Sequence, residues 1–260
     1  MIQLEDVTRT YGQKVAVDSL NLSIPPGELF AFLGPNGAGK TTTIKMIVGL
    51  LRPTRGTVQV CGINIADNVR RVASMLGYVP DEPVPYGKLT GREFLEFVAQ
   101  MREMTSKAIA AAIERETQNL RLDEFLDALT ESYSHGMRQR LCLASALLHN
   151  PRVLVVDEPT VGLDPRSVRM VKDLLKERAA AGTTIFMSTH TLPIAEEIAD
   201  RIGIVDHGRL NFFGTRQEVV HQMQARGLTL ERFFLDITEG HGPKVPHIVQ
   251  NKSHKIENRA

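Results

Sequence analysis

The sequence predicts an α/β fold: a largely parallel sheet wrapped by helices, carrying an antiparallel β lobe and interrupted by a helical insertion. Three observations predict it. Residues 2–24 alternate apolar and polar positions, as strands of a half-exposed antiparallel sheet do. The short apolar runs "LFAFL", "VLVVD" and "TTIFMST" each precede a helical pattern, as strands buried on both faces do. Between Pro80 and Asn150 the texture is helical.

In chain order, the first strands turn near Tyr11–Gly12, and "PPGE" ends them ahead of "LFAFL". A glycine-rich loop leads into a helix over Thr41–Leu51, stopped by Arg52–Pro53, and "GTVQVCGINI" returns to strand character. Thr90 and Glu93 form a capping box. After it, Phe94, Phe97, Val98 and Met101 share one helical face, suited mostly to core packing or, alternatively, to a partner. Further helices are expected over 106–121, 123–129 and Met137–His149, the last stopped by Asn150–Pro151. "VLVVD", a helix over 166–181, "TTIFMST", a helix near 193–200 and "RIGIVDHG" complete the alternation.

At 260 residues the chain approaches the upper limit for one hydrophobic core. One domain over 1–238 is expected, with its helical insertion at about 82–145 and a mobile tail over 239–260 that has few large apolar side chains. The three tail histidines are too irregularly spaced to suggest a metal site. A net charge of +1 gives no electrostatic footprint for nucleic acid. Cys61 and Cys142, far apart and outside any CxxC spacing, read as structural thiols in a reducing compartment. "MIQLED" is acidic where a signal peptide is cationic, and no apolar run reaches the ~18 residues that span a bilayer. If the protein works at a membrane, another chain supplies the spanning part.

The loop "GPNGAGKTT", Gly34 to Thr42, carries the chemistry. Gly34-x-x-x-x-Gly39-Lys40-Thr41 satisfies the Walker A pattern of P-loop nucleotide triphosphatases, which implies their RecA-like fold. Its glycines let the backbone curl so that N–H groups point at phosphate oxygens. The helix that follows adds its positive end, Lys40 adds a full charge for the β- and γ-phosphates, and Thr41 offers a hydroxyl to Mg²⁺. The ligand is a nucleoside triphosphate. "VLVVDEPT" then places Asp157 at the end of a buried strand, where it reaches the Mg²⁺ shell, with Glu158 beside it as a general base for the attacking water. In "YSHGM", Ser134 reads as an N-cap and Gly136 leaves a second helix start open to phosphate.

These motifs, followed by "VGLDP" and "STH", resemble in their order the ATP-binding cassette (ABC) ATPases over roughly residues 1–238. The resemblance implies ATP as the nucleotide, held by Gly34, Pro35, Asn36, Gly37, Ala38, Gly39, Lys40, Thr41 and Thr42. It makes Tyr11 the ring that stacks on adenine, 133–137 the signature motif, Asp164 the D-loop aspartate and His190 the switch histidine at the γ-phosphate. It also implies that two cassettes, alike or different, sandwich two ATP molecules so that Ser134 and Gly136 of one reach the nucleotide of the other.

Two places depart from the family pattern. The signature, usually LSGGQ, has Tyr133, His135 and Met137, and His135 brings a titratable ring near the expected γ-phosphate, so weaker closure or pH sensitivity is expected. Asp81 stands where a glutamine is usual, and its carboxylate is suited to Mg²⁺ directly or through water. "YSHGMRQRL", "LGYVPDEP" and "LTLERFFLDIT" look most like bacterial exporter cassettes for drugs, lipids or polysaccharides. That implies a peripheral subunit at the cytoplasmic face of the membrane, docked through the insertion and the 81–90 loop on a separate multi-spanning permease. The alternatives are an import ATPase or a soluble ABC ATPase. The acidic Asp81–Glu82 pair argues against the first. Near-neutral charge and the lack of a second cassette, coiled coil or zinc site argue against the second.

Overall fold

The computed structural model describes residues 1–238; the expected tail over 239–260 lies outside the described residues. Strands β1 (Ile2–Tyr11) and β2 (Lys14–Ile24) form the expected hairpin about Gly12. The run "LFAFL" is β3 (Leu29–Leu33), buried at every position, and the glycine loop leads from it into α1 (Lys40–Ile47). This helix is shorter than Thr41–Leu51. Gly49 turns the chain at φ +78°, and the amides of Leu50 and Leu51 both return to the carbonyl of Lys45. Strands β4 (Arg55–Val60) and β5 (Ile63–Asn64) follow as expected. Helix α2 (Val69–Met75), capped by Asn68, and strand β6 (Leu76–Val79) are elements the sequence pattern did not reveal.

The insertion opens with α3 (Gly91–Met101), whose Thr90–Glu93 capping box forms as expected. Its buried face is Phe94, Leu95 and Ala99, whereas Phe97 and Met101 are exposed. The expected core stripe is therefore split, and half of it faces outward. Helix α4 (Ser106–Leu120) matches its expectation. Residues 123–129 do not form a helix: they make successive turns, with Phe125 and Leu126 amides on Leu122 O and Ala128 N on Phe125 O. Tyr133, buried, donates its hydroxyl to Phe125 O at 2.5 Å and so pins that turn. Helix α5 starts at His135 and runs to Leu147, two residues earlier at each end than expected.

The remaining elements alternate as the sequence predicts: β7 (Val153–Asp157), α6 (Pro165–Ala180), β8 (Thr184–Thr189), α7 (Leu192–Ile198) and β9 (Arg201–Asp206). Beyond them lie β10 (Arg209–Thr215), α8 (Arg216–Arg226) and α9 (Leu230–Thr238), which the pattern had not resolved.

Two sheets result. The antiparallel lobe has the order β2-β1-β4-β5, and the main sheet β10-β9-β3-β8-β7-β6, parallel except for β10 at its edge. Because side chains alternate along a strand, β3 sends Leu29, Ala31 and Leu33 into a core shared with the insertion and α6, and Phe30 and Phe32 into a second core under the β lobe and α1. The register aligns Leu33 with Thr189 and Asp157 with Ser188. Three strand ends therefore finish side by side at the carboxyl edge of the sheet, where open α/β sheets bind their ligands.

One buried charge ties the insertion to this frame. Glu116 of α4 has no solvent exposure and accepts from Arg178 of α6 on both oxygens, at 2.8 and 2.9 Å, and from Arg115 at 2.6 Å. Arg115 also donates to Leu147 O and Leu148 O at the end of α5. Glu116→Ala strands these cations and is expected to cost about 3 kcal/mol of unfolding free energy. Urea denaturation checks this, and an unchanged midpoint contradicts it.

Just beyond the same end of α5, Arg102 donates to Leu76 O at 3.2 Å and lies 3.1 Å from His149 Nε2. Burial and then the Arg102 cation push the His149 imidazole down to about 4. The native state therefore holds it neutral, while the unfolded chain takes up a proton below its ordinary value of 6.5. Stability from this residue is complete above that value and declines as pH falls towards 4, by about 2 kcal/mol after allowance for partial exposure. His149→Gln is expected to flatten the pH dependence of thermal unfolding over that window.

Candidate active site

The glycine loop is shaped by what surrounds it. A Cβ at Gly34 would lie 2.4 Å from Val205 O, and at Gly39, where φ is +103°, 2.5 Å from Ala16 O. Only glycine fits either place. Gly39 caps α1 without a side chain, so the first N–H groups of that helix have no side-chain acceptor and face the loop. The first helical bond recorded there runs from Thr43 N to Gly39 O. A concave set of free donors at a helix start is an anion site.

Lys40 is buried, and its ammonium bridges the loop to the ends of the neighbouring strands. Nζ donates to Gly34 O at 2.7 Å and Pro35 O at 3.3 Å, and lies 3.4 Å from Glu158 Oε1. Glu158 follows β7 and takes φ +49°, a left-handed conformation that costs a non-glycine residue about 1–2 kcal/mol. It is held there by its own amide, which donates to Ser188 O and Ser188 Oγ at 3.2 and 3.0 Å. His190 Nδ1 lies 3.0 Å from Glu158 Oε1, and the His190 amide donates to Oε2 at 3.3 Å. A carboxylate so gripped is oriented as well as charged.

Asp157 is buried beside it. Its Oδ1 accepts a short hydrogen bond from Ser188 Oγ, while Oδ2 is buried with no partner in the protein. An orphaned carboxylate oxygen at the carboxyl edge of the sheet fits a divalent cation. Among the described residues no group of three or more His, Cys, Asp or Glu is arranged to hold a metal by itself. That suits Mg²⁺, which is usually bound by one or two carboxylates together with phosphates. Asp81 is close enough to feel the same field: partial burial, then Asp157 and Glu158, push its carboxyl above the usual range, with His135 acting against them. Burial and then Asp157 push the Tyr78 hydroxyl up to about 12.

Other expected site residues stand apart from this cluster. Tyr11 ends β1 half-exposed, with the Arg9 guanidinium 4.8 Å from its ring centroid. Ser134 caps α5, accepting from Met137 N, and Gly136 lies in the first turn of that helix. Among the described residues, no recorded hydrogen bond joins Ser134, His135 or Met137 to residues 34–42. Asp164 caps α6, accepting from the amides of Arg166 and Ser167 and from the Ser167 hydroxyl, which holds its carboxyl below the usual range. Sequence reasoning missed Ser188 and Gln139. A serine inside the apolar run "TIFMST" was the available signal for the first.

A parallel sheet that delivers a P-loop, a buried aspartate and an oriented glutamate to one edge defines a nucleoside triphosphatase. The family model described as ABC transporter matches residues 17–161. The chain is 38% identical over 211 residues to the bacitracin transport ATP-binding protein BcrA of Enterococcus faecalis, covering 81% of this chain and 68% of that protein. It is 36% identical over 220 residues to the Nod factor export ATP-binding protein I of Cupriavidus metallidurans, covering 85% and 73%. Among solved structures, the dimeric post-hydrolysis state of the cassette MJ0796 bound to ADP and Pi superposes with a TM-score of 0.77 at 26% identity, over 83% of this chain and 99% of that one. The chain belongs to the ABC transporter family, and within it is an ATP-binding, ATP-hydrolysing cassette.

Proposed function

We propose that this cassette powers an exporter, as one of two that close head to tail on two ATP molecules while docked on a separate multi-spanning permease at the cytoplasmic face of the membrane. The observation that carries this reading is the divided site. Lys40, Asp157, Glu158 and His190 gather around one cradle, while the helix start with Ser134 and Gly136 is engaged elsewhere in its own chain. A second cassette would bring that helix start onto the phosphates. ATP is then a ligand of the interface, and its cleavage removes the support for closure.

In this reading residues 34–42 cradle the phosphates, Tyr11 offers its half-exposed ring to adenine, and Asp164 lies at the cassette interface. Glu158 takes the proton of the attacking water, with His190 orienting it. Thr41, Asp157 and Asp81 would hold Mg²⁺, which neutralises charge developing on the β- and γ-phosphate oxygens. Residues 1–238 act as one ATPase domain.

The export direction is supported by a relative whose name specifies Nod factor export. Docking is supported by an apolar patch. Val84 is 85% exposed and Met101 72%, with Tyr86 and Phe97 also exposed and in edge contact at 5.5 Å between ring centroids. Among the described residues no helix is long and apolar enough to cross a membrane. An exposed apolar patch of this kind suits a protein partner, here a segment of the permease. The test is extraction in mild detergent and isolation through this chain. A hydrophobic multi-spanning partner in the eluate is the expected result, and ribosomes or DNA in its place would overturn the reading.

A further inference from the structure

The loop that follows Glu158 is held from one side by helix α5, through two donors one turn apart. His135 Nε2 donates to Val161 O at 3.0 Å, and Gln139 Nε2 donates to Pro159 O at 3.3 Å. The acceptors are alternate carbonyls of a four-residue loop whose own bonds are few and long: Val161 N to Glu158 O at 3.3 Å and Leu163 N to Thr160 O at 3.4 Å. Gly162 lies against the His135 ring, since a Cβ there would come within 3.1 Å of Cδ2, and Gly162 itself takes φ +71°. Leu163 Cδ2 packs 3.4 Å from where a Cβ of Gly136 would be.

Gln139 shows that this arrangement is specific. Its side chain is buried, and its Oε1 has no partner. A buried amide oxygen left bare is costly, and the bond its Nε2 gives to Pro159 O is what sets against that cost. His135, the bulkiest departure from the expected signature, does not point at empty space: its ring lies on the loop and closes the second bond.

We propose that His135 and Gln139 are positioning residues which lock the Pro159–Gly162 loop and thereby set the orientation of Glu158. Glu158 begins that loop in a left-handed conformation. Ser188 holds its amide from the sheet side, and α5 holds the following carbonyls from the insertion side. Loosening either clamp lets the backbone relax, and the carboxylate turns away from the position in which it meets His190.

This inference rests on Glu158 being the base, and the test separates the two. His135 is exposed, so its substitution spares the core. His135→Phe keeps a ring against Gly162 and removes the donor; His135→Gln restores an amide N–H at about the reach of Nε2. Hydrogen–deuterium exchange on the purified full chain, without nucleotide, is expected to quicken at the Val161 and Leu163 amides in His135→Phe and return towards wild type in His135→Gln. With Mg²⁺ and ATP, kcat is expected to fall about tenfold in His135→Phe, since misplaced catalytic groups lose rate steeply, with KM within about threefold and recovery in His135→Gln. Unchanged exchange in His135→Phe overturns the lock. Quickened exchange with unchanged kcat overturns its role in orienting Glu158. Glu158→Gln turnover, measured beside them, reads the base assignment independently.

Discussion

Glu158→Gln is expected to lower ATP turnover by about 10²–10⁴-fold, the range a positioned general base supplies, while nucleotide binding survives. The amide keeps the shape of the carboxylate and can still meet the His190 amide, so the cradle should stand. It has no affinity for the proton of water. It also removes the negative partner lying 3.4 Å from Lys40, freeing that ammonium for phosphate. With ATP present but uncleaved, two cassettes would stay closed, and gel filtration should show an ATP-dependent dimer in the variant that outlasts the wild-type one. Hydrolysis at the wild-type rate would remove Glu158 from the role of base.

Lys40→Ala should act at the preceding step. The ammonium is buried and holds three oxygens, two of them carbonyls of the loop itself. Its loss takes away a full charge for the triphosphate and also the brace between Gly34 and the strand ends. A charge-assisted hydrogen bond contributes about 1.5–3 kcal/mol, so affinity for Mg²⁺-ATP is expected to drop by about 100-fold. Binding of a fluorescent ATP analogue measures it. An affinity within a few-fold of wild type would mean that the backbone donors of α1 hold the nucleotide without the side chain.

The two variants therefore separate holding the nucleotide from cutting it. The structure explains why both functions meet in one place: Leu33, Asp157 and Thr189 end adjacent strands, and the residues just beyond them are the loop, Glu158 and His190.

Much of this was legible in the sequence because it depends on local pattern. "LFAFL" and "VLVVD" are wholly apolar since both faces of their strands are covered, and the residue ending or following such a run must lie at the sheet edge. The Thr90–Glu93 capping box and the glycine turns are likewise local chemistry. Misreadings came where distant contacts decide. Residues 123–129 have helical composition, but the Tyr133 hydroxyl and the bridge between Thr90 and Leu129 bend them into turns. Strand β6 is only four residues long, and what defines it is its pairing with β7. Phe97 and Met101 have the spacing of core residues, yet α3 turns them outward, because its packing stripe is centred on Leu95 and Ala99. Tyr133 looked like a variant of a signature leucine, and its reason lies eight residues back, at Phe125 O.

The outward-facing Val84, Tyr86, Phe97 and Met101 bear on how the molecule behaves when handled alone. Greasy surface of this kind, left bare in concentrated solution, draws copies together at random and favours precipitation, most of all in kosmotropic salts such as sulfate, which strengthen apolar burial. Producing the chain together with the proposed permease, or diluting it into low concentrations of a mild surfactant, would shield those side chains and keep the material monodisperse.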